Sequence, residues 1–250
     1  MRLRLLLLPA LLLPELPLAP AQAELGASFG HWLGTDELGR DGLLRLALAA
    51  LRSAAFASLA SMLAMLLAIA FVLFEPRFRP ARSALRAAPP LLFLLPLAEA
   101  VGGLSWVGLA ILLSALLALH LEAPLAAGLD PWLQGPAWMA ERTLGASPGS
   151  SLVRWWPFFW EKAAAQLPTV WIAAFWSEAT LRLLGLGPGP QHDSLGLVLQ
   201  EQLPRFTSGP VPLGWAALGL ALGLAWSLRA NPEPRHDPDR KTASPLPAPR

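Results

Sequence analysis

The sequence predicts an all-α integral membrane protein with about six transmembrane helices, or five if the N-terminal segment is cleaved. Three observations predict it. The 250-residue chain is 54% hydrophobic and only 14% charged, far more apolar than an ordinary soluble domain. Apolar runs of about 17–25 residues with few charges recur along it, the length a helix needs to cross a bilayer. Its basic residues gather in the segments between alternate runs, as topology requires of membrane helices.

Composition also excludes function classes. There is no cysteine, so disulfides, thiolate zinc sites and thiol nucleophiles are ruled out. The formal charge is only +2, and the basic residues sit in loops, so no nucleic-acid partner is expected. The chain carries no G-x-x-x-x-G-K-[ST] phosphate loop, no H-E-x-x-H and no G-x-S-x-G, so neither ATP hydrolysis nor intramembrane hydrolase chemistry is expected of it. No catalytic residue, cofactor or metal is assigned. His31, Asp36 and Asp41 lack a diagnostic ligand spacing, and helix capping is the stronger use of the two carboxylates.

In chain order, residues 1–22 place Arg2 and Arg4 before the apolar run Leu5 to Ala19, which ends at Ala21-Gln22-Ala23. That pattern fits a cleavable signal. It fits equally an uncleaved transmembrane helix interrupted by Pro9, Pro14, Pro17 and Glu15, and either delivers Glu24 to the outer face. The stretch from His31 to Asp41, HWLGTDELGRD, reads as a turn and then a helix start. Leu43 to Leu51, with Arg45 and Arg52 among apolar residues, reads as an interfacial helix.

Ala54 to Phe74 reads as a clean span. Small residues recur every four positions (Ser53, Ala57, Ser61; Ala60, Ala64, Ala68), which allows close helix packing in lipid. The loop holding Arg77, Arg79, Arg82 and Arg86 is then cytoplasmic. Pro89 to Gly103 and Leu104 to Leu121 read as two further crossings, or alternatively as one re-entrant element turning at Gly102-Gly103, with Glu99 at the outer mouth and His120 at an interface. Residues 122–162 form a cytoplasmic loop around the polar island Trp138 to Pro157.

Ala163 to Leu184 is a polar span whose Gln166, Thr169, Ser177, Glu178, Thr180 and Arg182 should face the bundle. Glu178 and Arg182 are four apart and can neutralise each other. Gly185 to Pro210 reads as an outer loop. Val211 to Leu228 is the last span, with Gly219-x-x-x-Gly223 for close packing. Residues 231–250 are a Pro-rich, charged tail expected to be disordered. On this topology the outer segments hold only Arg40, Arg45, Arg52 and Arg205, the remaining loop and terminal basic residues are inside, and both termini are cytoplasmic.

Three stretches carry a family resemblance. His31, Leu33, Gly34, Thr35, Asp36, Gly39, Arg40 and Asp41 match the H-P-L-G-T-D-x-x-G-R-D signature of C-type permease subunits of bacterial dipeptide/oligopeptide ABC importers, with Trp32 in place of Pro. Ala140, Arg142, Leu144, Gly145, Ala146, Ser147, Arg154 and Pro157 resemble the family's cytoplasmic coupling loop. There Glu141 replaces a small residue, and the Gly145-to-Pro157 spacing is one residue short. Glu178, Leu181, Gly185, Leu186 and Gly187 match E-x-x-L-S-F-L-G-L-G, with Arg182 in place of Ser. The Gln191–Gly196 stretch lacks the family's Trp.

The resemblance covers His31 to about Gly196 and implies an ABC importer permease fold over residues 23–230. It implies transport of peptides or similar small solutes across the bacterial inner membrane, with ATP hydrolysed by separate subunits. The implied partners are a second permease subunit, two ATP-binding ABC ATPase subunits, an extracytoplasmic substrate-binding protein and the lipid bilayer. The alternative is a diverged, non-transporting paralogue acting as a membrane assembly or regulatory subunit.

Overall fold

A computed structural model describes residues 8–12, 16–74, 92–93, 96, 105–186, 193–207 and 212–229. The Arg-rich loop, most of the Pro89 to Gly103 segment with Glu99, Gly187, Gln191 and His192, and the 231–250 tail lie outside the described residues. Six α-helices are delimited among the described residues: α1 (Gly42–Phe74), α2 (Trp106–Leu133), α3 (Pro136–Thr143), α4 (Pro148–Leu183), α5 (Leu195–Gln202) and α6 (Pro212–Arg229). No strand occurs among the described residues, apart from an isolated bridge between Thr35 and Asp41.

Among the described residues, two helices are long and apolar enough to cross a membrane, Gly42–Leu73 within α1 and Trp106–Leu129 within α2. They form the centre of the bundle. The expected small-residue stripe on α1 is its contact face: Ser53, Ala57, Ala60, Ser61, Ala64 and Ala68 are all fully buried. Without bulk at these positions the backbones approach closely, and the Ser114 hydroxyl of α2 donates to the Ala60 carbonyl at 3.1 Å. α4 packs across both helices, with the Trp171 indole donating to the Ser58 hydroxyl at 3.0 Å.

These contacts fix helix directions. α1 meets α2 through Phe56 and Trp106, whose rings lie 5.1 Å apart, and again at Ala60 and Ser114, so the two run the same way. α4 meets α1 through Glu178 with Ser53 and Trp171 with Ser58, so it runs the opposite way. α6 starts beside Phe206, whose ring is 4.9 Å from that of Trp215.

Several segments differ from the sequence reading. Leu43 to Leu51 is not a separate interfacial helix but the first part of α1, a single helix of 33 residues. Arg45 and Arg52 are seven apart and so share one face. That face is buried. The described part of the N-terminal segment forms 3-10 turns at Leu8–Leu12 and Pro20–Gln22, where its prolines deny an α-helix the hydrogen bonds it needs.

The 122–162 region is mostly helix. α2 continues to Leu133, which puts His120 inside a helix, and α4 already begins at Pro148. Pro157 and Pro168 lie within α4; each removes one ladder hydrogen bond without ending the helix. The outer loop contains α5 and a 3-10 turn, Leu203–Thr207. Of the polar residues expected to face inward on α4, Glu178 and Arg182 are buried, whereas Thr169 is exposed. The Gly219 and Gly223 pair packs against nothing among the described residues.

Gly196 lets α5 approach α4 closely. A Cβ there would stand 2.3 Å from the Ala179 carbonyl oxygen and 2.7 Å from the Arg182 Cβ. The first obstacle is backbone and cannot swing aside. Gly196→Ala is therefore expected to cost about 1–3 kcal/mol through overpacking, read as a lowered Tm of the detergent-purified protein. Gly219→Ala, in open space, should leave Tm unchanged or slightly raised.

Candidate functional site

Sequence-matched residues gather at the two ends of the bundle. At the end where α1 starts, the turn from His31 to Asp41 is built on two glycines in the left-handed region, Gly34 and Gly39, both at φ +75. Neither position admits a side chain, since a Cβ would meet the Leu25 carbonyl oxygen at 2.6 Å or that of Ala19 at 1.8 Å. Thr35 stitches the turn to the preceding chain: its hydroxyl accepts from the Leu25 N–H at 2.8 Å and donates to the Gln22 carbonyl.

Asp41 caps α1, its Oδ1 accepting from the Leu44 N–H at 2.9 Å while Oδ2 lies 2.8 Å from His31 Nδ1. Burial pushes the Asp41 carboxyl up, but the Leu44 N–H and the His31 ring outweigh it and hold it below its ordinary 3.8. Asp36 closes the turn on itself. Its Oδ1 accepts from the N–H groups of Leu38 at 3.0 Å and Arg40 at 2.8 Å.

The other oxygen of Asp36 begins an ion network. It accepts from Arg40 Nε at 2.6 Å and lies 3.1 Å from Arg45 Nη1. Arg45 is 1% exposed. It donates through Nε and Nη2 to Asp193 Oδ1 at 3.1 and 3.0 Å, and Nη2 reaches Glu201 Oε2 at 2.7 Å. Arg40 Nη1 meets the other Asp193 oxygen at 3.5 Å. Nearer the surface, Arg205 pairs with Glu24 at 3.2 Å and Glu37 at 2.7 Å. Arg40, Arg45 and Arg205, all assigned to the outer segments, are thus matched by carboxylates.

Below this network lies a second buried polar layer. The Ser53 hydroxyl donates to Glu178 Oε2 at 3.0 Å and accepts from the Leu195 N–H at 3.1 Å, so one side chain joins α1, α4 and α5. Arg182 stands 3.8 Å from Glu178, and its guanidinium lies over the Trp106 ring at 5.0 Å, a cation–π arrangement. The Ser-to-Arg departure from the family pattern is thereby accommodated inside the protein. Ser194 caps α5 through the Leu197 N–H.

Gly185 ends α4 at φ +77. The Leu186 N–H returns to the Leu181 carbonyl at 2.9 Å and the Gly185 N–H to that of Arg182 at 2.9 Å, a Schellman cap. The matched Leu181, Gly185 and Leu186 thus serve helix termination.

The opposite end repeats that device. α4 spans ~45 Å between Glu178 and Pro148, so the α3–α4 turn lies far from the ion network. α3 ends in a second such cap, with Gly145 at φ +83 and the Ala146 N–H returning to the Glu141 carbonyl at 3.0 Å. Ser147 caps α4 through the Ser150 N–H at 3.2 Å. Leu144 protrudes at 86% exposure; Ala140 and Pro157 are exposed and Ala146 is half-buried. Arg142 lies on α3.

Glu141 faces α4 and pairs with the exposed Arg154 at 2.9 Å. The Ser151 hydroxyl lowers its carboxyl, partial desolvation opposes this, and Trp155 and Arg154 complete the shift below the ordinary range. The substituted Glu therefore joins the two helices of the turn and leaves Leu144 as its most exposed part.

The sequence reading missed Asp193, Glu201 and Ser194 as site residues, and treated Arg45 as interfacial. The available signal was electrostatic: two arginines on one face of a long apolar helix require carboxylates from elsewhere in the chain. Among the described residues no group of three or more His, Asp and Glu is arranged to hold a metal ion. Comparison of the chain with protein-family models and with curated proteins finds no match.

Two tests follow from this end of the bundle. Arg45→Met leaves the buried Asp36 and Asp193 to share Arg40 as their one remaining cation in this network, at an expected cost of about 3 kcal/mol; Arg45→Lys should recover only part of the lost Tm, because an ammonium cannot reproduce the bifurcated geometry.

The lowered Asp41 carboxyl stabilises the fold when ionised. That contribution is complete above pH ~4 and is lost as pH falls through the folded value. Asp41→Asn keeps a capping side chain and removes the titration, so its Tm should fall less than that of the parent between pH 5 and 3.

Proposed function

We propose that the chain is a permease subunit of an ABC importer for peptides or similar small solutes, in the bacterial inner membrane with both termini cytoplasmic. One observation carries the reading. The signature turn and the E-x-x-L stretch, 137 residues apart from Asp41 to Glu178 (178 − 41), converge at one end of a bundle, and the coupling-loop match lies at the other. A machine driven by ATPases on one face and loaded from the other needs that separation.

Helix direction supports the same topology. α1 and α2 run the same way, α4 opposes them, and α6 starts at the signature end. Two parallel neighbours require the chain between them to return, which agrees with a crossing between α1 and α2. The ion pairing of Arg40, Arg45 and Arg205 fits an outer face on which positive charge is offset. The partners in this reading are a second permease, two ATPases and an external binding protein. Closure of the ATPase pair would act on the α3–α4 turn, and α4 would carry the displacement toward Glu178 and α5.

The second reading, a diverged membrane assembly or regulatory subunit, is favoured by Arg182 and Glu141. Both departures are bonded within the chain, Arg182 beside Glu178 and Trp106 and Glu141 to Arg154. One variant tests both readings. Leu144→Asp changes an exposed side chain and leaves the caps on either side intact, so folding is preserved. Under the transport reading it abolishes co-purification with an ATPase subunit and lowers uptake at least tenfold. Loss of co-purification with unchanged uptake would support the assembly role, and unchanged co-purification would remove the turn as the docking point.

A further inference from the structure

We propose that the turn preceding α1 is a membrane anchor, with Phe29 and Trp32 embedded at the boundary between lipid headgroups and acyl chains on the outer face. The inference rests on the reading of α1 as a spanning helix and goes beyond the transport reading.

The turn displays its aromatic residues rigidly. Ser28 and His31 exchange backbone hydrogen bonds at 2.9 and 3.1 Å, which puts Phe29 and Gly30 at the tip of a tight reversal. The base of the reversal is held by the Gly34 N–H on the His31 carbonyl, the Thr35 N–H on the Leu25 carbonyl and the His31–Asp41 contact. Phe29 is nevertheless fully exposed, and Trp32 is 70% exposed. The hydrogen-bonded backbone thus fixes where the two aromatic residues sit, and both present their rings away from the chain.

Charge and position indicate what covers them. From Leu25 to Thr35 the chain carries no Asp, Glu, Lys or Arg, whereas the neighbouring segment Asp36 to Asp41 is rich in them. A charge-free turn bearing Phe and Trp suits the amphipathic boundary of a bilayer, where aromatic rings concentrate. The base of the turn abuts the first residue of α1: the Gly42 N–H donates to the Gly34 carbonyl at 2.9 Å, and the Leu33 Cβ stands 3.2 Å from where a Gly42 Cβ would be.

α1 has 33 residues, so it is ~50 Å long, against a hydrocarbon thickness of about 30 Å. A helix of that length centred in the bilayer sets its first turn at headgroup depth. The outward face of that part of the helix, Leu43, Leu44, Ala47 and Leu51, is apolar and exposed. It continues the lipid-facing surface up to the turn.

The chain has no cysteine, so single-site labelling has no background. Phe29→Cys and, separately, Leu51→Cys are labelled with a nitrobenzoxadiazole dye in the full-length protein, reconstituted in phosphatidylcholine–phosphatidylglycerol vesicles. Both dyes should be quenched by nitroxide carried on the lipid, the Phe29 site at least twofold more by a shallow acyl nitroxide than by a deep one, and neither by aqueous iodide. Trp32→Cys repeats the measurement from a second position.

Lipid quenching at Leu51 with iodide quenching at Phe29 would overturn the anchor and leave α1 in the membrane. Shielding of Phe29 from both quenchers would also overturn it, in favour of a protein cover such as a second copy. Absence of lipid quenching at Leu51 would overturn the spanning reading of α1 and the anchor with it.

Discussion

A guanidinium cannot remain charged inside an apolar bundle without carboxylates around it, and Arg45 imposes that constraint on the whole signature end. One carboxylate, Asp36, comes from the turn just before α1; the others, Asp193 and Glu201, come from the segment after α4. Satisfying one side chain therefore fixes the turn, the start of α1 and the seat of α5 relative to one another. Ser53 and Gly196 complete the arrangement, the first by hydrogen bonding to α4 and α5 together, the second by having no side chain where α5 meets the Ala179 backbone.

Features that depend on local spacing were legible in the sequence. The four-residue recurrence of small side chains in α1 identified the buried face correctly, because helical periodicity alone decides which positions share a face. Asp41 was legible as a capping residue, whereas Asp36, expected to cap as well, closes the turn on the N–H groups of Leu38 and Arg40; the Gly145 interruption followed by a Ser147-Pro148 start was legible as a helix–turn–helix. Glu178 and Arg182 were legible as an inward-facing pair because a carboxylate and a guanidinium on an apolar helix have few other places to go.

Features that depend on distant partners were not legible. Arg45 and Arg52 looked like charges meeting water, since two of the three carboxylates around Arg45, Asp193 and Glu201, lie far along the chain. Asp193 stood in a short polar stretch noticed chiefly for a missing Trp, and nothing local distinguishes a buried carboxylate from a surface one. Pro157 read as the end of a polar loop segment, yet it lies inside α4, because a long helix held by tertiary packing tolerates the loss of one ladder bond. The matched stretches were more legible as patterns than as chemistry: much of what they do here is helix capping at Asp41, Gly145 and Gly185.

The Arg45–Asp193 pair, separated by 148 residues in sequence, also has a consequence for biosynthesis. Translation at about 5–20 residues per second leaves Arg45 without Asp193 for ~7–30 s after it is made. During that interval Asp36, nine residues upstream (45 − 36), is already synthesised and within reach through the same turn. The HWLGTDELGRD stretch can thus act early as a temporary counter-charge, holding the start of α1 in a neutral state while the rest of the bundle is still on the ribosome. Its later arrangement with Asp193 and Glu201 would then mark the completion of assembly.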